Sequence, residues 1–335
     1  LIRTAPVSQT FDVQLGATRP YLATMRLITS TQVPTSYARV EEPTSGPVRV
    51  GLVQHHWREN AEELVAALRD GIRQAAEAGA TIVFLPELTL SRYPADTLPA
   101  GEPDATAESL TDGPTFTFAA QAAKDFGVHV HASLFEKAPE ADGRGLNTAI
   151  LVSPAGELVA RTRKTHIPIT AGYYEDKYFR PGPAEGAYPV VDLQEPAVKL
   201  GLPTCWDEWF PEVARSYALG GAQVLVYPTA IGSEPYDASF DTSRIWRRAM
   251  LGHAASNCMP VIAANRIGTE ENDQRFYGHS FIANQWGDFL AEYGAEETGA
   301  LVATIDLAEA AKHRAGMGFF RDRRPQLYGR LAEDI

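Results

Sequence analysis

The stretch VRVGLVQHHWRENAEELVAALRDGIRQAAEAGATIVFLPEL, residues 48–88, decides the fold of this chain. Residues 48–54 read as a strand, and Asn60 is suited to cap a helix that ends at Gly79. Residues 81–85 form a short apolar, β-branched run, typical of a strand buried on both faces. A strand, a helix and a second buried strand in succession predict a layered α/β domain. The helix carries one apolar stripe at steps of four: Leu64, Leu68, Ile72 and Ala76.

The alternation of strands and helices continues along the chain. No linker-like break interrupts residues 48 to about 311, and we expect residues 48–335 to form one domain with a C-terminal arm. Residues 1–47 mix Ser, Thr, Pro and Gln without a sustained hydrophobic period, and we expect them to form an N-terminal arm that packs on the main body or on a neighbouring subunit. Further helices are predicted over 116–126, 210–219 and 243–257, and further strands over 128–134, 147–152, 158–160, 198–202, 223–227, 259–264, 281–284, 289–292 and 300–305.

Composition excludes several classes of function. The 335 residues carry 30 basic and 42 acidic side chains, a net charge of −12, which argues against nucleic acid or an anionic membrane as the main partner. Two cysteines cannot form a disulfide framework or a cysteine-based zinc site. No apolar run approaches the ~18 residues of a membrane span, and no signal peptide is visible, so we expect a cytoplasmic protein. Because the chain begins at Leu1 rather than at Met, removal of residues upstream is left open.

Glu87, Lys164 and Cys205 each depart from the pattern of the element that they follow. Glu87 comes after the apolar run 81–85, where a carboxylate is costly unless it is used or paired. Lys164 and Cys205 also lie just after predicted strands, and open α/β sheets place their sites at the carboxyl ends of strands. Taken singly, each residue fits an ordinary structural role better than a catalytic one.

Three motifs around these residues resemble the carbon–nitrogen hydrolase family, usually called the nitrilase superfamily. They are Phe84-Leu-Pro-Glu-Leu88, Arg163-Lys-Thr-His-Ile-Pro168 and Cys205-Trp-Asp-Glu-Trp-Phe-Pro-Glu212, in the family's order of glutamate, lysine and cysteine. The resemblance extends from about residue 48 to the end of the chain. Within the family it is strongest to the N-carbamoylputrescine amidohydrolases, whose motifs are similar to Gly172-Tyr-Tyr-Glu175, Tyr178-Phe-Arg-Pro-Gly182, Tyr227-Pro-Thr-Ala-Ile-Gly-Ser-Glu-Pro235, Trp246-Arg-Arg248, Gly252-His-Ala-Ala255, Asn265-Arg-Ile-Gly268 and Phe320-Arg-Asp-Arg-Arg-Pro325.

The resemblance implies a four-layer α-β-β-α sandwich that forms a homo-oligomer, dimeric or larger, through helix packing and a C-terminal arm. It also implies a thioester mechanism that needs no metal and no organic cofactor. Cys205 is the implied nucleophile, and we expect the neighbouring Lys164 ammonium to favour its thiolate. Glu87 is the implied base, and Lys164 with the backbone N–H of Trp206 the implied oxyanion hole. Glu175 matches a second glutamate that positions the lysine, and the adjacent Tyr174 is expected to contact substrate.

The residue three positions after the nucleophile bears on the substrate. Relatives that hydrolyse N-carbamoyl amino acids place arginine there, which can bind a carboxylate, and putrescine-type members more often place glutamine. Here the position holds Glu208, which should repel a carboxylate and attract an ammonium. The favoured substrate is therefore a cationic N-carbamoyl amine such as N-carbamoylputrescine, unless Glu208 points away and pairs with a cation of the core.

Three alternatives stay open at this point. An aliphatic amidase or a β-ureidopropionase would use the same glutamate, lysine and cysteine. A protein of this fold that binds or assembles without catalysis is a third, although the presence of all three reactive residue types argues against it.

His55, His56, His129 and His131 lack the spacing of metal ligands, which favours ordinary polar histidines over a metal site.

Overall fold

Two β-sheets stacked face to face form the centre of the protein, and helices cover the outer face of each sheet. The computed structural model describes residues 26–30, 46–138, 142–234, 236–237 and 239–333. The strands are β1 (Ile28–Thr29), β2 (Val48–Gln54), β3 (Ile82–Phe84), β4 (His129–Glu136), β5 (Leu146–Val152), β6 (Leu158–Arg163), β7 (Val190–Gln194), β8 (Ala197–Gly201), β9 (Val224–Thr229), β10 (Val261–Asn265), β11 (Ile267–Thr269), β12 (Arg275–Tyr277), β13 (Phe281–Ala283), β14 (Phe289–Glu292) and β15 (Gly299–Ile305). The α-helices are α1 (Ala61–Glu77), α2 (Pro114–Phe126), α3 (Pro211–Leu219), α4 (Ser243–Asn257) and α5 (Leu307–Met317).

The strand order explains how the layers form. The first sheet runs β1-β15-β2-β3-β4-β5-β6, the second runs β14-β13-β10-β9-β8-β7, and β11 pairs with β12 outside both. Apolar side chains from the two sheets, such as Leu52, Phe84 and Val226, fill the space between them. A second apolar layer packs α1 and α2 on the first sheet, and a third packs α3 and α4 on the second. The predicted α-β-β-α sandwich is therefore confirmed.

Local signals in the sequence account for the helix boundaries. The Asn60 side chain accepts hydrogen bonds from the backbone N–H groups of Glu62 and Glu63 at 2.9 and 3.1 Å, as expected of an N-cap. Gly127 ends α2 in the left-handed region with φ of 66°, where its N–H donates to the Ala123 carbonyl. The predicted stripe of α1 faces the core, with Leu64, Leu68 and Ile72 buried and Ala76 partly buried.

The sheet topology brings several loops to one edge. Strands β2, β3 and β4 are mutually parallel in the first sheet, and β8, β9 and β10 are mutually parallel in the second. The chain leaves β3 toward Glu87, β8 toward Cys205 and β9 toward Ala230. Ala230 donates its backbone N–H to the Glu87 carboxylate at 2.9 Å, so the carboxyl ends of the two sheets meet.

Some elements were not predicted from the sequence. They are the two-residue strand β1, the edge strand β7, the small β11–β12 pair and α5. Most other predicted bounds differ from the structure by one to three residues. The predicted N-terminal arm lies mostly outside the described residues. Its described part includes Ile28–Thr29, which pairs in parallel with β15 at the edge of the first sheet.

The C-terminal segment after α5 consists of short 3-10 turns with exposed apolar side chains. Leu327 and Leu331 are 61% and 68% exposed. Packing of this segment on a neighbouring subunit stays a prediction. Within the described part of the chain, no helix has the length and apolar character needed to cross a membrane.

Candidate active site

Glu87, Lys164 and Glu175 form a continuous buried chain of charges. Lys164 Nζ donates to Glu87 Oε1 at 3.0 Å and to Glu175 Oε2 at 2.7 Å. The Lys164 side chain has no solvent exposure, and those of the two glutamates have 2% or less. One ammonium thus lies between two carboxylates in a medium of low polarity, where ion pairs are tight and a missing partner is costly.

Both oxygens of Glu87 are fixed by neighbours. Oε1 accepts from the Asn147 side-chain amide at 2.7 Å in addition to Lys164, and Oε2 accepts from the Ala230 N–H at 2.9 Å. The Glu87 N–H itself donates to the Thr229 carbonyl at 3.3 Å. Both sheets therefore supply partners that orient this carboxylate.

Burial and charge oppose each other at Lys164 and Glu175. Burial alone lowers the pKa of Lys164, but the charges of Glu175, Glu87 and Cys205 outweigh it, and the pKa lies well above its usual value. Burial raises the pKa of Glu175, the Lys164 charge lowers it, and the net shift is upward. The Tyr93 hydroxyl donates to Glu175 Oε1 at 2.8 Å and holds that carboxyl from the other side.

Cys205 begins a short 3-10 helix, Cys205–Trp209, which follows β8. Asp207 in this turn completes a capping box with Thr204 and also binds the loop that carries Lys164. Its Oδ1 accepts from the Thr165 hydroxyl at 2.6 Å and from the His166 N–H at 2.9 Å. The lysine loop and the cysteine turn are thereby held together.

Cys205 is 4% exposed, and burial and the Lys164 charge act on the pKa of its thiol in opposite directions. Burial raises its pKa, the charge of Glu87 raises it further, and the Lys164 ammonium only partly offsets these effects. The net pKa lies well above the usual value for a thiol. Lys164 favours the thiolate, as expected, but burial and the nearby acids outweigh the charge of this one ammonium. Such a thiol needs a base when it reacts.

Glu208 is fully buried, and neither carboxyl oxygen has a regular hydrogen-bond partner within the described ranges. The Trp246 indole lies close enough to lower its pKa, although outside regular hydrogen-bond geometry. Burial dominates, followed by the Glu87 charge among the nearby acids, and the pKa of Glu208 lies well above its usual value. The side chain also contributes to the raised pKa of Cys205, so the two groups are near each other. The alternative that Glu208 pairs with a cation of the core finds no such ion pair among these residues.

Trp206 and Tyr174 are the two remaining residues that were predicted to lie in the site. Trp206 is in the first turn of the 3-10 helix, where backbone N–H groups have no acceptor within the helix. Tyr174 is half-buried, and its backbone N–H donates to the Ala95 carbonyl at 2.7 Å. The neighbouring Tyr173 is the tyrosine of this motif whose hydroxyl binds the loop after Ala230: it donates to the Ser233 carbonyl at 3.0 Å and accepts from the Gly232 N–H at 3.2 Å.

Sequence reasoning missed several residues that shape the site. Asn147, Tyr93 and Asp207 hold Glu87, Glu175 and the lysine loop, respectively. A polar residue at the start of the strand at 147–152 was a signal for Asn147. No sequence motif indicated Tyr93, since its contact with Glu175 forms only when the chain folds.

Comparisons with known proteins identify the family of this chain and several of its relatives. A family sequence model described as carbon–nitrogen hydrolase matches residues 49–315. The citrullinase of Francisella tularensis is 39% identical over 288 residues, which cover 85% of this chain and 98% of that enzyme. The N-carbamoylputrescine amidase of Solanum lycopersicum is 38% identical over 288 residues, which cover 84% of this chain and 93% of that enzyme.

Solved structures show the same fold. A carbon–nitrogen hydrolase from Helicobacter pylori G27 superposes with a TM-score of 0.76 at 31% identity, over 86% of this chain and 99% of that one. A mutant amidase from Nesterenkonia sp. AN1, with acrylamide added at its active-site cysteine, superposes with a TM-score of 0.67 at 25% identity, over 85% of this chain and 99% of that one.

Proposed function

The chain belongs to the carbon–nitrogen hydrolase family, and from that premise we propose that it hydrolyses the ureido group of N-carbamoylputrescine or a similar N-carbamoyl amine. Membership confirms the resemblance to the nitrilase superfamily and makes the protein an enzyme that acts on non-peptide carbon–nitrogen bonds. The proposed products are the amine, ammonia and carbon dioxide.

The buried cluster supports a two-step mechanism through a thioester. Cys205 Sγ attacks the ureido carbonyl carbon while its proton passes to Glu87. A base is needed at this step because the pKa of the thiol is raised. Lys164 Nζ and the Trp206 N–H stabilise the oxyanion. The tetrahedral intermediate breaks its bond to the terminal nitrogen, and Glu87 returns the proton to the departing ammonia.

The second step releases the amine. Glu87 takes a proton from water, which attacks the thioester, and passes this proton to Cys205 Sγ as the carbon–sulfur bond breaks. The resulting carbamic acid loses carbon dioxide and leaves the amine, so that one water is consumed for each ammonia, carbon dioxide and amine formed. Glu175 keeps Lys164 charged and in place throughout, since it supplies the shortest contact to Nζ.

The buried carboxyl of Glu208, which has no regular hydrogen-bond partner in the part of the chain that the structure describes, is the observation that supports the choice of substrate. A carboxyl kept out of water without a hydrogen-bond partner costs stability and is explained if a ligand supplies the partner. An ammonium at the far end of the substrate would do so. Because the carboxyl is near Cys205, that ammonium and the ureido group would belong to one small molecule.

Citrulline is the second candidate, since the Francisella relative is named a citrullinase. Citrulline carries a ureido group and an ammonium, but also a carboxylate, which Glu208 would repel. An ammonia-release assay over N-carbamoylputrescine, citrulline, N-carbamoyl-β-alanine, an aliphatic amide and a nitrile separates the candidates. We expect N-carbamoylputrescine to give the highest kcat/KM; a higher value for the aliphatic amide or for N-carbamoyl-β-alanine would support the amidase or β-ureidopropionase alternative instead.

A cytoplasmic location, a homo-oligomeric state and a place in polyamine formation are further parts of this proposal. The exposed Leu327 and Leu331 of the C-terminal segment support an oligomer, because large apolar side chains at such exposure are suited to contacts between subunits.

A further inference from the structure

Arg266 is a buried arginine that binds the backbone around Glu87. Its side chain is 1% exposed, and its Nη2 donates to three carbonyl oxygens: Glu87 at 2.8 Å, Leu88 at 3.0 Å and Ser91 at 3.1 Å. The guanidinium also lies over the Phe276 ring, 5.3 Å from its centroid. One planar cation therefore holds the segment that directly follows Glu87.

Glu270 extends the same contact set toward Glu175. Arg266 Nη1 pairs with Glu270 Oε1 at 2.5 Å, and Glu270 Oε2 accepts from the Tyr93 N–H at 2.9 Å. Tyr93 in turn donates its hydroxyl to Glu175. The Arg266–Glu270 pair thus binds both ends of residues 87–93, the segment that presents Glu87 at one end and Tyr93 at the other.

The backbone of this segment is strained at one position. Leu88 has φ of 49°, in the left-handed region that is unfavourable for a residue with a branched side chain. Its carbonyl is one of the three that Arg266 binds. This contact is therefore one of the constraints that hold residue 88 in its strained conformation, directly after Glu87.

We propose that Arg266, supported by Glu270, is a positioning residue that keeps the Glu87 carboxylate in its reactive orientation. This inference rests on the proposed role of Glu87 as the base. Arg266 acts through the backbone of residues 87–91 and makes no contact of its own with the thiol. The Asn265-Arg-Ile-Gly268 motif thereby gains a physical role, since Asn265 fixes the turn that carries Arg266 through hydrogen bonds to Ile231 and Gly278.

Arg266→Lys tests the proposal, because lysine keeps the charge beside Glu270 but cannot reach three carbonyls with one planar group. We expect kcat to fall about tenfold to a hundredfold while KM changes less than about threefold, since small misplacements of a reacting group can cost about 10²-fold. The matched control is Arg49→Lys. Arg49 also binds backbone carbonyls, those of Ala78 and Ser30, but at the opposite end of the first sheet. The Arg49→Lys variant should leave kcat unchanged.

A double-mutant cycle with Glu87→Asp distinguishes positioning from general damage. In that variant the carboxylate is already withdrawn by one methylene group, so Arg266→Lys should lower the residual kcat less than about threefold. Full multiplicative loss, or an unchanged kcat in Arg266→Lys alone, would overturn the inference. If Arg266→Lys fails to fold, Glu270→Gln takes its place with the same expected pattern. Unchanged kcat in Glu87→Asp alone would instead refute the proposed role of Glu87.

Discussion

The backbone N–H of Ala230 donates to Glu87 Oε2 at 2.9 Å, and this hydrogen bond joins the two sheets at the site. Glu87 follows β3 of the first sheet and Ala230 follows β9 of the second. Lys164, at the end of β6, binds the other oxygen of the same carboxylate. The base proposed for the reaction is therefore oriented by the sandwich as a whole, and not by one loop.

Cys205→Ala should abolish turnover and leave the fold intact. The nucleophile is buried but small, so its removal costs several orders of magnitude in rate and little in stability. Ammonia release from the purified variant, together with its circular dichroism spectrum, measures both effects. Cys258→Ser is the control, since Cys258 ends α4 and has no contact with Lys164 or Glu87 among those described. Substantial turnover by folded Cys205→Ala would refute the thioester mechanism.

Glu87→Gln and Lys164→Met should each lose most of kcat, and the double variant should lose much less than the product of the two. The two side chains share a 3.0 Å contact and act on one proton and one oxyanion. Steady-state kinetics of the four proteins gives the coupling. Additive losses in barrier height would show that the two residues act separately.

Lys164→Met should also destabilise the protein strongly. It leaves Glu87 and Glu175 buried without their shared cation, and breaking a buried ion pair from one side typically costs ~3–5 kcal/mol. Lys164→Met/Glu175→Gln should recover part of that loss, because one of the two stranded carboxylates is removed. Urea denaturation measures the free energies of unfolding. Equal stability of the single and double variants would mean that Glu175 does not depend on Lys164 for its charge balance.

Glu208→Gln should stabilise the protein against unfolding, and more so as the pH rises. The pKa of Glu208 in the fold lies well above its value of about 4.5 in the unfolded chain. Below about pH 4.5 the carboxyl is protonated in both states, and its ionisation costs the folded state nothing. As the pH rises toward the raised pKa, the unfolded chain releases the proton first, and the free energy of unfolding falls. The melting temperature of Glu208→Gln should exceed that of the wild type by more at pH 8 than at pH 5. A constant difference across this range would show that Glu208 does not titrate as its burial demands.

The same titration should appear in substrate binding. An ammonium binds the ionised carboxyl, so the KM for N-carbamoylputrescine should fall as the pH rises toward the raised pKa of Glu208, by at most about tenfold per unit. The KM for a neutral urea should show no such fall. In Glu208→Gln the two substrates should share one pH profile, and a persistent difference between them would place the ammonium elsewhere.

The strand and helix pattern predicted a layered α/β domain, and the family resemblance implied the sandwich and the Glu87, Lys164 and Cys205 site, but neither predicted the balance of charges within that site. Residues 48–54 and 243–257 match their strand and helix, because their apolar period and end signals are local properties. Glu87, Lys164 and Cys205 could be named because each lies in a motif of its own. The direction of the Cys205 pKa could not be inferred, since it depends on the burial and the summed charges that folding creates. Arg266 could be noted only as part of a motif. Its hydrogen bonds to the backbone carbonyls of Glu87 and Leu88 join residues far apart in the chain, which the sequence does not reveal.

The preference for a cationic ureido substrate can be measured by comparing kcat/KM for N-carbamoylputrescine and N-pentylurea, which has the same length but ends in a methyl group. An ammonium hydrogen-bonded to a buried carboxylate contributes ~1.5–3 kcal/mol, so the wild type should prefer N-carbamoylputrescine by about tenfold to a hundredfold. Glu208→Gln should remove most of this preference while it hydrolyses N-pentylurea as well as the wild type does. Equal kcat/KM for the two substrates in the wild type, or an unchanged preference in Glu208→Gln, would refute the reading of Glu208 as the group that selects the substrate.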